Sequence, residues 1–261
     1  MDVYMDYSGW ELEPVGGDTG QAYKGTKDQE RVFLKRNSSP FLAALSAEGI
    51  TPKLIWTKRV GNGDVITAQE WLTGRVLSSD EMSSTEVINL LQQIHHSATL
   101  YNMLTRISCE EYIPERFLVE YFEDLHVALR ENYFLNTVVD YLSENLPFVS
   151  KGDMTVCHGD LNRRNFFKED NGRLYLVDWE MVRLAEPLSD LTMVMVQYIE
   201  PSQWNEWLEC YGVKFSKNVH HRVKWYSLMN CLFLIKKNYY EEKFQEMNQK
   251  ITLAKYILAN Y

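Results

Sequence analysis

Long apolar runs, paired cysteines and a surplus of basic residues are all missing from this 261-residue chain. No segment approaches the ~18 consecutive apolar residues that a membrane-spanning helix needs. The opening stretch MDVYMDYSGWELE is acidic, with neither the basic start nor the apolar centre of an export signal. A cytoplasmic protein without a membrane span is therefore expected. The four cysteines, Cys109, Cys157, Cys210 and Cys231, stand without C-x-x-C spacing. That pattern indicates neither a zinc site nor a disulfide framework and suits reduced core thiols. The formal net charge of -9 speaks against direct nucleic-acid binding, which depends on clustered Lys and Arg neutralising phosphates. Two small basic clusters, His220-His221-Arg222-Val223-Lys224 and Lys236-Lys237, read as solvated helix faces. No internal repeat, low-complexity run or long linker is present.

What is present is ordinary for a folded chain: 45% apolar and 24% charged residues. The length allows one large domain or two lobes. Strand signals run over Trp10–Val15, Ala22–Gly25, Arg31–Lys35, Leu54–Arg59 and Val65–Glu70, with Asn62-Gly63 as a hairpin turn. One helix, Phe41–Glu48, interrupts them. After Thr73-Gly74 the period changes: Ser83 and Ser84 suit a helix cap, and Val87, Leu90, Leu91 and Ile94 follow at helical spacing. Further helices are expected over Pro114–Arg130, Phe134–Leu146, Asp190–Tyr198, Pro201–Tyr211, Val219–Tyr239 and Glu241–Tyr256. A β-hairpin sits among them, Phe166–Lys168 and Leu174–Val177 around Asn171-Gly172. The expected fold is α+β, with a small antiparallel-sheet lobe over residues 1–72 and a mostly helical lobe over 73–261. A cleft between two such lobes is a natural ligand site.

The segment VCHGDLNRRNFF places a strongly polar loop between apolar ends. It reads His158-x-Asp160-x-x-x-x-Asn165, and the following hairpin delivers Asp178 in LVDWE. Taken singly, each is a common turn former or strand-end cap. Together, at this spacing, they match kinase-type phosphoryl transfer, in which an Asp takes the acceptor hydroxyl's proton while an Asn and a second Asp hold Mg2+. Carboxylate and amide oxygens are hard ligands for that hard cation. Arg163 and Arg164 lie inside the loop, where a guanidinium can stabilise charge on a transferring phosphoryl group. Upstream, Gly16-Gly17-Asp18-Thr19-Gly20 between two strands suits a cover that presents backbone amides to phosphates.

The strings HGDLNRRNF and LVDWE, with Asp190 following, resemble the aminoglycoside phosphotransferase and choline kinase family, whose fold is a two-lobed relative of the protein kinases. The resemblance spans nearly the whole chain. The longer strings FLKRNSSPFLAALSAEGI, PKLIWTKR and TAQEWLTGR are similar to a bacterial subgroup, YtmP or CcrZ, linked to cell-cycle control. The resemblance implies ATP and Mg2+ as cofactors, Asp160 as catalytic base, and Asn165 and Asp178 as metal ligands. It further implies that His158 braces the catalytic loop, that Asp190 is a buried acid tying that loop to the helices, and that Lys35 contacts the nucleotide phosphates. Glu70, Trp71 and Leu72 match the segment offering backbone groups to adenine. One departure stands out. The Glu that usually pairs with that lysine is absent from Asn37-Ser38-Ser39-Pro40-Phe41, and Glu48 falls at the helix end.

The phosphate acceptor is less legible. Trp204, Trp207, Tyr211, Trp225, Tyr226, Tyr239 and Tyr240 can form an aromatic cage for choline, or they can be core. An aminoglycoside pocket needs clustered acids. The subgroup resemblance points to a small hydroxylated substrate, a riboside or sugar-like compound, with Glu180 and the Arg163-Arg164 pair available for its hydroxyls. A second reading, a nucleotide-sensing scaffold for cell-division or replication proteins, rests on the same resemblance and on the missing helix Glu.

Overall fold

Alternating side chains near the start of the chain produce a five-stranded antiparallel sheet. Its strands are β1 (Glu11–Pro14), β2 (Ala22–Lys27), β3 (Glu30–Arg36), β4 (Leu54–Arg59) and β5 (Val65–Glu70), in the order β1-β2-β3-β5-β4. Val32 and Leu34 of β3 and Ile66 and Ala68 of β5 share one face and form its buried centre, against which Trp10, Leu12, Tyr23, Trp56 and Val60 pack. Lys35, one residue out of phase with Leu34, points to the opposite face. The computed structural model describes residues 9–15, 22–61, 63–107 and 110–261, and these group into two compact units.

The first unit takes the chain to Leu77 and adds Arg164–Glu180. Besides the sheet it holds α1 (Leu42–Ala47) and the short β6 (Gly74–Val76). The chain then leaves for the second unit, which contains β7 (Thr155–Cys157), and returns as β8 (Phe166–Glu169) and β9 (Leu174–Leu176). β6, β8 and β9 form a small antiparallel sheet. This differs from the division at residue 72 expected from sequence. β6 pairs with β8, Leu176 N–H donates to the Ile50 carbonyl at 2.9 Å, and Arg173 donates to the Gly49 carbonyl at 3.1 Å. Pairing across more than ninety residues of sequence leaves no mark on a linear reading.

The second unit spans Ser78–Arg163 and Met181–Tyr261. Its helices are α2 (Thr85–His95), α3 (Ala98–Ile107), α4 (Pro114–Phe122), α5 (Val127–Arg130) and α6 (Tyr133–Glu144). β10 (Arg183–Ala185) then pairs antiparallel with β7, and α7 (Pro187–Tyr198), α8 (Trp204–Tyr211), α9 (Lys217–Tyr240) and α10 (Phe244–Asn260) follow. α9 is the spine: Trp225, Tyr226, Ser227, Leu228, Met229, Asn230, Cys231 and Leu232 are all buried, as in a helix surrounded on every side. α4, α6, α7 and α10 pack around it.

Three expectations are corrected here. The helix expected over Pro114–Arg130 is broken into α4 and α5, because Asp124 adopts a left-handed φ of +50, which no α-helix accommodates. α3, β6, β7 and β10 were not expected; the strands have three residues each, too few for a period to register. Cys157 and Cys231 are buried as core thiols, but Cys210 is exposed, since α8 buries Trp204, Trp207, Leu208 and Tyr211 instead.

Candidate active site

In the first unit, the β8–β9 hairpin turns at Asn171-Gly172. Gly172 has φ +93, its N–H donates to the Glu169 carbonyl at 2.8 Å, and the Asn171 side chain accepts from the Arg173 N–H at 2.9 Å. The turn brings the two ends of the hairpin together, where Val177 N–H donates to the Asn165 carbonyl at 2.8 Å. Asn165 and Asp178, thirteen residues apart in sequence, thus lie at one end of the hairpin. Asp178 is held at φ +65, a left-handed conformation that Asp tolerates better than most side chains.

Lys35 of β3 reaches this end. Its ammonium lies 2.8 Å from Asp178 Oδ1 and 2.8 Å from Glu180 Oε1. Burial alone would lower the lysine pKa, but the hydrogen bonds and charges of Asp178 and Glu180 outweigh it and hold Lys35 above its ordinary value. Lys35 thus has two carboxylate partners, both from the segment that follows β9. Sequence reading assigned Glu180 to acceptor hydroxyls, since nothing in its spacing links it to β3.

In the second unit, the segment after β7 is fixed by one buried acid. Asp190, in the first turn of α7, accepts from the backbone N–H of His158 at 2.7 Å and of Gly159 at 3.0 Å. It also lies 3.2 Å from His95 Nε2, and His95 Nδ1 lies 2.8 Å from the Tyr211 hydroxyl. A carboxylate only accepts, so Nε2–H donates to Asp190 and Nδ1 accepts from Tyr211. Burial pushes the Asp190 carboxyl up, but the hydrogen bonds from His95 and the Gly159 amide overcome this and hold it below the ordinary carboxylate value. His158 is fully buried, and its Nδ1 accepts the Asp160 N–H at 3.2 Å.

Gly159 has φ +85, and a Cβ there would come within 2.5 Å of the Met181 carbonyl oxygen. Only glycine fits this approach. Asp160 follows, partly exposed, its Oδ2 accepting from the Asn162 side-chain amide at 2.9 Å and its Oδ1 facing the Lys237 ammonium at 3.8 Å. Arg163 donates its backbone N–H to the Tyr198 hydroxyl at 2.8 Å. Arg183 braces the same loop: its guanidinium stacks over Tyr112 and Phe117, pairs with Glu120 at 2.8 Å, and lies 3.4 Å from the Gly159 carbonyl.

His95, Cys157 and Asp190 bring one ligand atom each within 4.8 Å of the others. This is a structural knot rather than a metal centre. Burial holds the Cys157 thiol well above its ordinary pKa, and it faces the carbonyls of Ala185 and Glu186 at 3.5 and 3.6 Å, so it is no thiolate.

The other expected residues are distributed as follows. Gly16, Gly17, Asp18, Thr19 and Gly20 lie outside the described residues. Glu70 ends β5 with its N–H donated to the Lys53 carbonyl at 2.8 Å, while Trp71 and Leu72 continue beyond the strand. Arg164 is exposed and Arg163 half-buried. Trp204, Trp207, Tyr211, Trp225 and Tyr226 are buried core, with the three indole N–H groups donated to backbone carbonyls of Ile199, Ser83 and Leu142. They form no cage. Neither basic cluster is a bare solvated face: Arg222 pairs with Glu186 at 2.6 Å, and Lys237 faces Asp160. Lys237 carries no sequence signal of this placement, because it sits seventy-seven residues from Asp160.

Residues 11–226 match the profile of the phosphotransferase enzyme family APH. Among solved structures, the choline kinase LicA from Streptococcus pneumoniae is similar at 20% identity and TM-score 0.66, over 96% of this chain and 94% of that one. A putative aminoglycoside phosphotransferase from Ralstonia eutropha aligns at 13% identity and TM-score 0.71, over 97% and 94%. A spectinomycin phosphotransferase in complex with ADP and spectinomycin aligns at 13% identity and TM-score 0.64, over 95% and 92%. At these identities the structural matches establish the fold.

Proposed function

Because the chain belongs to the APH phosphotransferase enzyme family, and with it to the ATP-dependent small-molecule kinases, we propose that it moves the γ-phosphate of ATP to a hydroxyl of a small metabolite, a riboside or sugar-like compound. The observation that carries this reading is Asp160: a partly exposed carboxylate, oriented by Asn162, on a loop whose backbone is clamped by buried Asp190. That is what a general base needs, since it must be fixed in direction yet reachable by the acceptor hydroxyl. Asp160 takes the hydroxyl proton as the oxygen attacks phosphorus, and the bond from phosphorus to the ADP oxygen breaks. Lys35 holds the nucleotide phosphates, kept charged by Asp178 and Glu180.

Asn165 and Asp178 fit Mg2+. Both offer hard oxygens, and the Asp178 carboxylate already stabilises a cation, the Lys35 ammonium, at 2.8 Å. Bound there, the ion supplies charge neutralisation along the phosphates. His158 supports the loop, and Arg163 and Arg164 are assigned to charge on the transferring group or to the acceptor.

The scaffold reading drew on the missing helix Glu, and Lys35 has two carboxylate partners without it. The similarity of the long strings to a subgroup linked to cell-cycle control supports that setting for the activity, and cytoplasmic location is part of the same proposal. No described helix is long and apolar enough to cross a membrane. The test is phosphate transfer from magnesium ATP to ribosides, pentoses, choline, ethanolamine and an aminoglycoside, with wild type beside Asp160→Asn. A product made by wild type and not by the variant supports the reading. Transfer that survives Asp160→Asn overturns Asp160 as base, and no transfer to any acceptor, with nucleotide bound, favours the scaffold.

A further inference from the structure

The last turn of α9 is stitched to the connector between α4 and α5. Lys236 donates to the carbonyls of Glu120 at 3.2 Å and Tyr121 at 3.1 Å, and also to that of Glu123. Tyr239 hydroxyl lies 3.0 Å from His126 Nδ1, and Tyr240 donates to the Asp124 carbonyl. These ties, from residues 236, 239 and 240, fix the helix turn that carries Lys237. Its ammonium lies 3.8 Å from Asp160 Oδ1, while Asp160 Oδ2 is engaged by Asn162. The distance is longer than a direct hydrogen bond, and the Lys237 side chain remains 44% exposed.

We infer that Lys237 is a specificity-determining residue that selects acceptors without positive charge beside the reacting hydroxyl. The inference rests on the kinase reading and on Asp160 as its base. An acceptor hydroxyl presented to Asp160 brings its neighbouring groups toward the Lys237 ammonium, carried on a fixed helix turn. A quaternary ammonium or protonated amine there meets like-charge repulsion, which is how a site rejects a competitor by design against it. A neutral hydroxyl, or an anionic group, instead gains a donor. Of the aromatic residues that could offset a cation, Trp204, Trp207, Tyr211, Trp225 and Tyr226 are buried in the core, and Tyr239 and Tyr240, on the Lys237 turn, have their hydroxyls tied to His126 and the Asp124 carbonyl. This separates the chain by chemistry from kinases of cationic acceptors.

The decisive experiment uses acceptor pairs matched in shape and differing in charge: choline against its uncharged tert-butyl isostere, and a sugar against its amino sugar. Each is assayed as acceptor, and as inhibitor of whichever acceptor is used, with wild type, Lys237→Gln and Lys237→Glu. Both substitutions keep a long helix-forming side chain at a half-exposed site, and thermal unfolding checks that each variant is folded. The expected result is a preference of wild type for the neutral member of about tenfold in kcat/KM or inhibition constant, narrowed in Lys237→Gln and reversed in Lys237→Glu. Equal ratios in all three proteins, including no response to either member, overturn the inference while leaving the kinase reading intact. A wild-type preference for the cationic member does the same. Absence of phosphate transfer by wild type to every acceptor overturns both.

Discussion

The Lys35 ammonium is shared between two carboxylates, Asp178 and Glu180, at 2.8 Å each, and both are supplied by the segment that follows a hairpin rather than by the helix beside β3. The arrangement links the lysine proposed to hold the phosphates to a proposed metal ligand. Lys35→Met is expected to lower kcat/KM for magnesium ATP by roughly a hundredfold or more. Glu180→Gln should have a smaller effect, carried mainly by the KM for ATP. Stability should move by less than about 1 kcal/mol, because both carboxylates are about half exposed and screened. The lysine pKa is raised, so the pair's stabilising contribution is complete below the ordinary lysine value of about 10.4 and is lost only as pH rises past it. A Lys35→Met enzyme with unaltered ATP kinetics would remove the residue from the site.

Asp160 is the second test. Asp160→Asn keeps the shape and the contact with Asn162 but removes the proposed base. Transfer should fall by roughly a hundredfold to ten-thousandfold with the thermal midpoint little changed. A comparable loss accompanied by unfolding at assay temperature would assign the residue to structure instead.

Gly159 offers a purely steric prediction. Gly159→Ala forces a side chain into φ +85 and to within 2.5 Å of the Met181 carbonyl. Left-handed strain costs about 1–3 kcal/mol, and the displaced loop carries Asp160. Both the thermal midpoint and the transfer rate should drop. A variant as stable and active as wild type would show that the loop relaxes freely, contrary to the clamp by Asp190.

The sheet was readable from sequence because its strands are short runs of strand-forming residues bounded by turn signals; β4 and β5 fall at the expected bounds. The hairpin ends were readable because Asn171-Gly172 encodes its own turn. What escaped were relations across sequence distance. Glu180 meets Lys35 from 145 positions away, as read from their numbering, and Lys237 meets Asp160 from the far end of a helix whose burial on all sides gives it no face to follow. Asp190 was assigned through resemblance alone, yet its three contacts at 2.7, 3.0 and 3.2 Å account for the loop physically.

Glu186, four residues before Asp190, predicts a pH dependence of opposite sign to that of its neighbour. It is buried at the start of α7 and pairs with Arg222 at 2.6 Å. Burial pushes its carboxyl up to about 7, an effect that Arg222 offsets only in part. The folded chain therefore holds this proton more tightly than the unfolded chain, whose glutamates titrate near 4.3. Between about pH 4.3 and 7 the folded state binds more protons, so stability falls as pH rises through that window and is level above it. Asp190 behaves the other way: its lowered carboxyl gives stability that is present above about 3.9 and lost as pH falls below it. The two windows do not overlap. Thermal midpoints of wild type and Glu186→Gln, measured across this range, isolate the group by difference. Wild type should lose stability relative to the variant as pH rises from 5 toward 7. A difference that is constant with pH, or that changes in the opposite direction, rules out Glu186 as the titrating group.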